Sequence, residues 1–427
     1  MGCSVLCRKP RGAVRLPAGM LSFALLGLCD FRTATADALP PFADLLHQSE
    51  KLSPRLIEGE ATVQVVQGLA RQSTALPNPI VSYESENFGG SRDFARISPV
   101  QNTVSLSETF EIGGKRSARI AASAANVETA RAGYGQVQVD FASDLANAYA
   151  SCEVAGLRVQ LLQDELARAS EDERAAKILV EAGRESDLRS IQARAAVMNT
   201  QADLESARAS LSEALIRIST LAGASQPYTD VRPQLLNLAD RLTLPSEELP
   251  ARTPSLRTAE AEREAAARRL QVERKRPISD ITVSVGARRL AGLDATALVA
   301  GVSVPLPVFD RNQGAIAAQL SELHAAEARL NAVRLETQGN WRAAFAQARA
   351  AALRLKATRE SEAAASEAYR LSRIGYDSGR TPLIEVLSVR RALSEAQLRA
   401  VEARFARVQA QITLSRLVGR IPFEDSP

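Results

Sequence analysis

Side chains able to do chemistry are few in this chain of 427 residues, and they are scattered. His47 and His324 are its two histidines. They lie too far apart to share the short-range spacing that metal ligation needs. Of four cysteines, Cys3, Cys7 and Cys29 stand near the start, leaving Cys152 alone in the body of the chain. No Ser/His/Asp grouping and no glycine-rich phosphate loop is present, so no catalytic residue, cofactor or metal ligand is expected. Work on a substrate would need a partner's energy. The acidic groups that attract notice are Asp187 and Asp377, each near a Gly-Arg pair, Gly183-Arg184 and Gly379-Arg380. Repeated around a symmetric pore, such carboxylates form a ring that attracts cations.

These turns sit at matching places because the chain is duplicated. Residues 183–223 align with 379–419 at a constant offset of 196, placing Leu188 on Ile384 and Leu221 on Leu417. Upstream, Leu145 meets Trp341 and Tyr149 meets Phe345 at the same offset. Further upstream the offset becomes about 198, where Val104 meets Val302, and Ser53-Pro54 matches Thr253-Pro254 near each copy's start. The expected organisation is a segment 1–38 to be removed, copies at 39–223 and 253–419, a linker at 224–252 and a tail at 420–427.

Each copy reads as helix, two strands, very long helix, turn, long helix. No proline falls between Pro99 and Pro227 or between Pro307 and Pro382, so helices there can run unbroken. Residues 117–180 alone would extend about 95 Å as helix. Phe141, Leu145, Ala148, Cys152, Ala155, Val159, Leu162 and Leu166 recur at alternating four- and three-residue steps, the coiled-coil rhythm. Cys152 is therefore a core residue. Strands are expected at about 79–88, 102–112, 278–290 and 296–306. They alternate apolar and polar residues, as in Ile281, Val283, Val285 and Ala287 against Thr282, Ser284, Gly286 and Arg288. About ten alternating residues suit a tilted strand crossing an outer membrane. Four strands cannot close a barrel, so several chains must share one.

Composition agrees with long helices and excludes other classes. Aromatics are 4% of residues, and 53 basic against 49 acidic residues are spread along the chain, without the clustered basic arm of a nucleic-acid binder. The start reads as an export signal: Arg8, Lys9, Arg11 and Arg15, an apolar stretch at 16–28, then small residues around Ala36 and Ala38. Cys29 raises lipidation, against which Leu28 and Asp30 argue.

The order of these elements and three runs resemble the TolC-like outer-membrane efflux channels. The runs are Leu76-Pro77-Asn78-Pro79, then Leu106-Ser107-Glu108-Thr109-Phe110-Glu111-Ile112-Gly113-Gly114-Lys115-Arg116, and Val304-Pro305-Leu306-Pro307-Val308-Phe309-Asp310-Arg311-Asn312-Gln313-Gly314. The last resembles the cobalt–zinc–cadmium branch. The resemblance implies a mainly α chain with a small transmembrane β part. Three copies would form a homotrimer with a twelve-stranded barrel in outer-membrane lipid, continued by an α-helical barrel in the periplasm. It implies a periplasmic adaptor and an inner-membrane proton-driven pump as partners, and heavy-metal cations as cargo. Multidrug efflux or type I protein secretion by the same channel class remains open, as does a periplasmic coiled-coil adaptor. Gly113, Gly114, Pro305 and Pro307 are expected to redirect strand into helix. The turns carrying Gly183, Arg184, Leu188, Gly379, Arg380, Thr381, Leu383 and Ile384 would be the periplasmic tip where adaptors dock, with Asp187 and Asp377 as a gate ring.

Overall fold

Proline and glycine mark where this chain changes direction, and the elements between them are long. The computed structural model describes residues 38–92, 100–248 and 252–423. The expected export signal and Cys29 lie outside the described residues. The first copy comprises α1 (Phe42–Leu52), α2 (Pro54–Gln72), β1 (Ile80–Glu86), β2 (Gln101–Phe110), α3 (Lys115–Glu181) and α4 (Asp187–Ala222). A short α5 (Leu235–Leu238) follows. The second copy has α6 (Pro254–Lys275), β3 (Ile281–Leu290), β4 (Ala295–Ser303), α7 (Gln313–Asp377) and α8 (Leu383–Val418). The end of α3, the start of α4 and the end of α4 each recur 196 residues later, so the duplication is structural.

α3 has 67 residues and α7 has 65, each about 100 Å long. Both run the full height of the helical part. In one half α3 packs between α2 and α6, and α7 lies beyond α6. In the other half α3 packs between α4 and α8, and α7 lies beyond α8. α4 ends where α2 begins, with Gly223 against Leu52, the last residue of α1, and α8 ends against the start of α6, with Gly419 on Pro254. The wall is thus four helices wide throughout, two unbroken and two spliced. Both splices are tied to α3 a single turn apart: Arg55 pairs with Asp144 at 2.9 Å and Arg416 with Asp140 at 2.7 Å.

The predicted coiled-coil seam is where α3 is buried. Phe141, Leu145, Ala148, Cys152 and Val159 are buried, with Trp341, Ala348 and Leu355 in the second copy. Burial pushes the Cys152 thiol up to about 12, so it stays protonated and packs as a small apolar group. The strands end sooner than alternation predicts. β2 stops at Phe110, leaving Glu111 and Ile112 outside, because Glu111 turns to accept hydrogen bonds from Arg119 on α3. β4 stops at Ser303, before Val304 and Leu306, because Pro305 has no N–H to continue the ladder.

Between the copies the chain is anchored at one buried carboxylate. Glu153, 1% exposed, accepts from the backbone N–H groups of Gln234, Leu235 and Leu236 at 2.6–2.8 Å. Leu235 and Leu236 are thereby held in the core with Phe42 and Tyr149. Burial raises the Glu153 carboxyl to about 7 against the pull of the three N–H donors. Glu153→Ala should orphan all three and cost about 3 kcal/mol in denaturant unfolding of the detergent-solubilised protein. From about 4.5 to about 7 the folded state keeps a proton that the unfolded state has lost. Stability should therefore fall as pH rises through that window, and Glu153→Gln should flatten this part of the curve.

Candidate functional site

The two helix–helix turns come together at one end of the helical part. Leu383 at the start of α8 is buried against Ala176 of α3 and Ala193 of α4, with Leu179, Tyr376 and Leu387 around it. Each long helix is followed two residues on by a left-handed glycine, Gly183 at φ +67° and Gly379 at φ +70°. Gly183 N–H bonds to Val180 O and Arg184 N–H to Leu179 O, both at 2.9 Å, and Gly379 and Arg380 repeat this at 2.8 Å on Tyr376 and Gly375. These paired bonds close the last helical carbonyls, which is why glycine stands at both sites. A Cβ added to either glycine would meet nothing within 4 Å, so both face open space. Arg184, Leu188, Arg380 and Ile384 are exposed beside them. Leu383 supports the tip from inside, and Thr381 is half-buried against Gly375.

Asp187 and Asp377 are both exposed at the tip but in unlike settings. Asp187 opens α4, where the helix dipole favours a carboxylate. Asp377 closes α7, where the dipole opposes one by about 0.3–1 kcal/mol. Helix stability therefore does not account for Asp377. Its equivalent at the 196 offset is Glu181, the last residue of α3, so both long helices end in an acid. Glu181 is exposed in the same turn as Asp187.

Behind the tip is a buried charge cluster that sequence reasoning missed. Arg390 of α8, 7% exposed, pairs with Asp172 of α3 and lies 3.4 Å from Glu165. Ser394 donates to Glu165 at 2.5 Å. Burial pushes the Asp172 carboxyl above the usual range, and Arg390 is the largest influence drawing it back. These contacts join the two copies just above the turns.

The sheet lies at the opposite end of α3 and α7. Its order is β1-β2-β3-β4, antiparallel throughout, with the outer edges of β1 and β4 unpaired among the described residues. Register assigns the faces. Val81, Leu106, Val285 and Ala300 form one row across the sheet, and Tyr83, Val104, Ala287 and Leu298 the next row on that face. The other face carries Ser82 on Ser105 at 2.8 Å, Thr109 on Thr282 at 3.0 Å, and Arg288 reaching Thr103 at 3.0 Å and Glu86 at 3.3 Å. Exposure is inverted relative to a water-soluble sheet: Leu298 is 88% and Val81 72% exposed, while Thr103 is 7%.

Strand passes to helix at a common junction. Gly113 and Gly114 have φ +70° and +75°, and Gly113 packs on Ile278. Lys115 pairs with Asp280 at 2.5 Å, and Ser279 donates to the Pro305 carbonyl. Pro307 lines the same small cleft. In the second copy the left-handed turn belongs to Asn312 at φ +59°, displaced from Gly114 by 198. Asn312 also donates to Glu273 O at 2.9 Å and Glu273 Oε2 at 2.6 Å. The prolines end pairing, and Asn312 makes the bend. Its signal was legible, since asparagine tolerates this conformation better than most residues. His47 and His324 are exposed and apart, and no group of three or more His, Cys, Asp or Glu able to hold a metal occurs among the described residues.

An apolar-backed sheet without closed edges, carried on paired coiled helices, defines the subunit of a membrane-strand, helical-tunnel protein. The chain belongs to the outer membrane efflux protein family, which it matches over residues 45–224 and 245–420. It is 39% identical over 409 residues to the nickel-cobalt-cadmium resistance protein NccC of Alcaligenes xylosoxydans xylosoxydans, covering 96% of this chain and 93% of that one. It is 43% identical over 387 residues to the nickel and cobalt resistance protein CnrC of Cupriavidus metallidurans, covering 91% and 92%. Among solved structures, CusC superposes with a TM-score of 0.75 at 17% identity over 89% of this chain and 92% of that one. The Campylobacter jejuni CmeC outer membrane channel does so at 0.73 and 14% identity over 97% and 95%. At such identities the structural likeness speaks to the fold alone.

Removing the cation of the tip cluster should loosen the tip. Arg390→Met leaves the buried Asp172 without its cation and Glu165 with Ser394 alone, a loss of about 3–5 kcal/mol of local cohesion. Hydrogen exchange should accelerate in the ends of α3 and α8 near the turns and stay unchanged at the splices. Exchange at the wild-type rate there would mean the cluster contributes no cohesion.

Proposed function

We propose that this protein is the passive outer-membrane exit duct of a tripartite efflux assembly, and that divalent heavy-metal cations are its cargo. The observation that carries the channel reading is the inverted sheet. An apolar face that exposed belongs against hydrocarbon, and a polar face opposite it belongs around water. The cargo reading rests on nickel, cobalt and cadmium resistance as the named role of similar proteins.

The free flanks indicate how copies assemble. A strand edge in hydrocarbon leaves its N–H and C=O groups unbonded, so β4 of one copy must pair with β1 of the next. Three copies give twelve strands, above the eight of the smallest barrels. The helices offer the same closure. On α7, Leu335, Leu353 and Leu371 are exposed and recur every 18 residues, five helical turns, so they form one straight stripe. On α4, Leu188, Ile191, Met198 and Ile216 are exposed. We assign these stripes to contact between neighbouring copies of a homotrimer.

The duct has no energy source of its own, and an inner-membrane proton-driven pump joined through a periplasmic adaptor would supply it. The tip is our choice for adaptor docking, through Gly183, Arg184, Gly379 and Arg380, with Asp187 and Asp377 as the gate-ring acids that meet entering cations and Glu181 beside them. Tight metal ligation is not required of an exit, because strong binding slows release.

Deletion of the gene should sensitise cells to cobalt, nickel, cadmium or zinc, and restoring it should reverse this. Sensitivity to lipophilic drugs alone would overturn the cargo. Gly183→Tyr with Gly379→Tyr should abolish resistance while the trimer persists on native gels. Asparagine at both sites, which accepts the left-handed backbone, should retain the turns and part of the resistance. Full resistance in the tyrosine pair would remove the docking role.

A further inference from the structure

A second buried arginine has no anion among the described residues. Arg407 of α8 is 1% exposed, and its Nη2 donates to the Leu242 carbonyl at 2.7 Å. Among the described residues its Nη1 is buried with no hydrogen-bond partner and no carboxylate in ion-pair range. Arg390, by contrast, is met by two carboxylates. An isolated cation held out of water is costly, so this site favours a group of opposite charge. Burial alone lowers the basicity of the Arg407 guanidinium, with no neighbouring charge opposing it.

Arg407 stands at the floor of a cleft of about 440 Å³ between α7, α8 and the segment after α5. The wall adds Lys356, Arg359, Asp240 and Glu360. Asp240 is engaged by Arg359 at 3.0 Å, so it does not neutralise Arg407. The charged side chains of the lining are three basic and two acidic, a net positive pocket. Lys356, Arg359 and Glu360 are exposed at its rim.

We propose that this cleft binds a small oxyanion of the phosphate type, with the Arg407 guanidinium as its principal donor and Lys356 as a second. The bound anion would fasten the 239–242 segment onto α7 and α8. The cleft stands well above the tip and needs neither cargo nor pump, so its test is independent of the efflux reading.

The test uses the full mature chain in detergent with inorganic phosphate as probe. The thermal midpoint is followed against phosphate concentration, with chloride replaced at constant ionic strength. A saturable rise is expected, because a ligand binding only the folded state stabilises it by mass action. Arg407→Met should abolish the rise, and Lys356→Gln should weaken phosphate binding several-fold. Equilibrium dialysis of labelled phosphate against wild type should give one ion per chain, a measurement that stands even if Arg407→Met does not fold. No saturable rise and no stoichiometric binding would overturn the proposal. So would a rise of equal size in Arg407→Met, or a variant simply more stable than wild type with no response to phosphate in either.

Discussion

A strand that ends in hydrocarbon must have its backbone groups bonded, and the rest of this molecule answers that requirement. Four strands with two bare edges cannot stand alone in lipid. The sheet therefore makes sense only as an arc of something larger. The helical wall obeys the same geometry by a different force, since its flanks at α4 and α7 carry apolar stripes instead of open hydrogen bonds. In the proposed assembly sheet and wall close at the same seam, and duplication supplies both with near-equivalent halves.

The charges inside the wall are placed where elements must be kept in register. Glu153 fixes the segment between the copies, Arg390 fixes the two copies to each other near the turns, and Arg55 and Arg416 fix the splices. Small residues line much of the core, as in Ala142, Ala146, Ala150, Ala265 and Ala400. Alanine against alanine brings backbones close but allows sliding, because it offers little side-chain shape to lock. Directional polar contacts supply the register that such a core lacks.

Much of this was legible in one sequence. The 196-residue offset fixed the turns and both long helices, and period-two alternation located all four strands with their apolar face. The seam from Phe141 to Val159 followed from heptad spacing. What escaped notice was long-range pairing. Arg390 meets Asp172 across 218 positions, Glu153 meets Leu235 across 82, and no local pattern announces either. Asn312 escaped for another reason: the duplication sets it opposite Gly114, but proline is the residue type more familiar at bends. Strand ends were overextended because alternation does not register that Glu111 has a competing partner in Arg119.

The splices have a mechanical consequence. Two of the four helices in the wall are interrupted, and both interruptions fall within one turn of each other along α3. A rod cut at one level bends there at little cost, whereas α3 and α7 resist bending anywhere. The assembly is then stiff against shortening yet compliant to shear at a single latitude. Strain imposed at the far extremity would be absorbed at that latitude, and the part embedded in lipid would scarcely feel it.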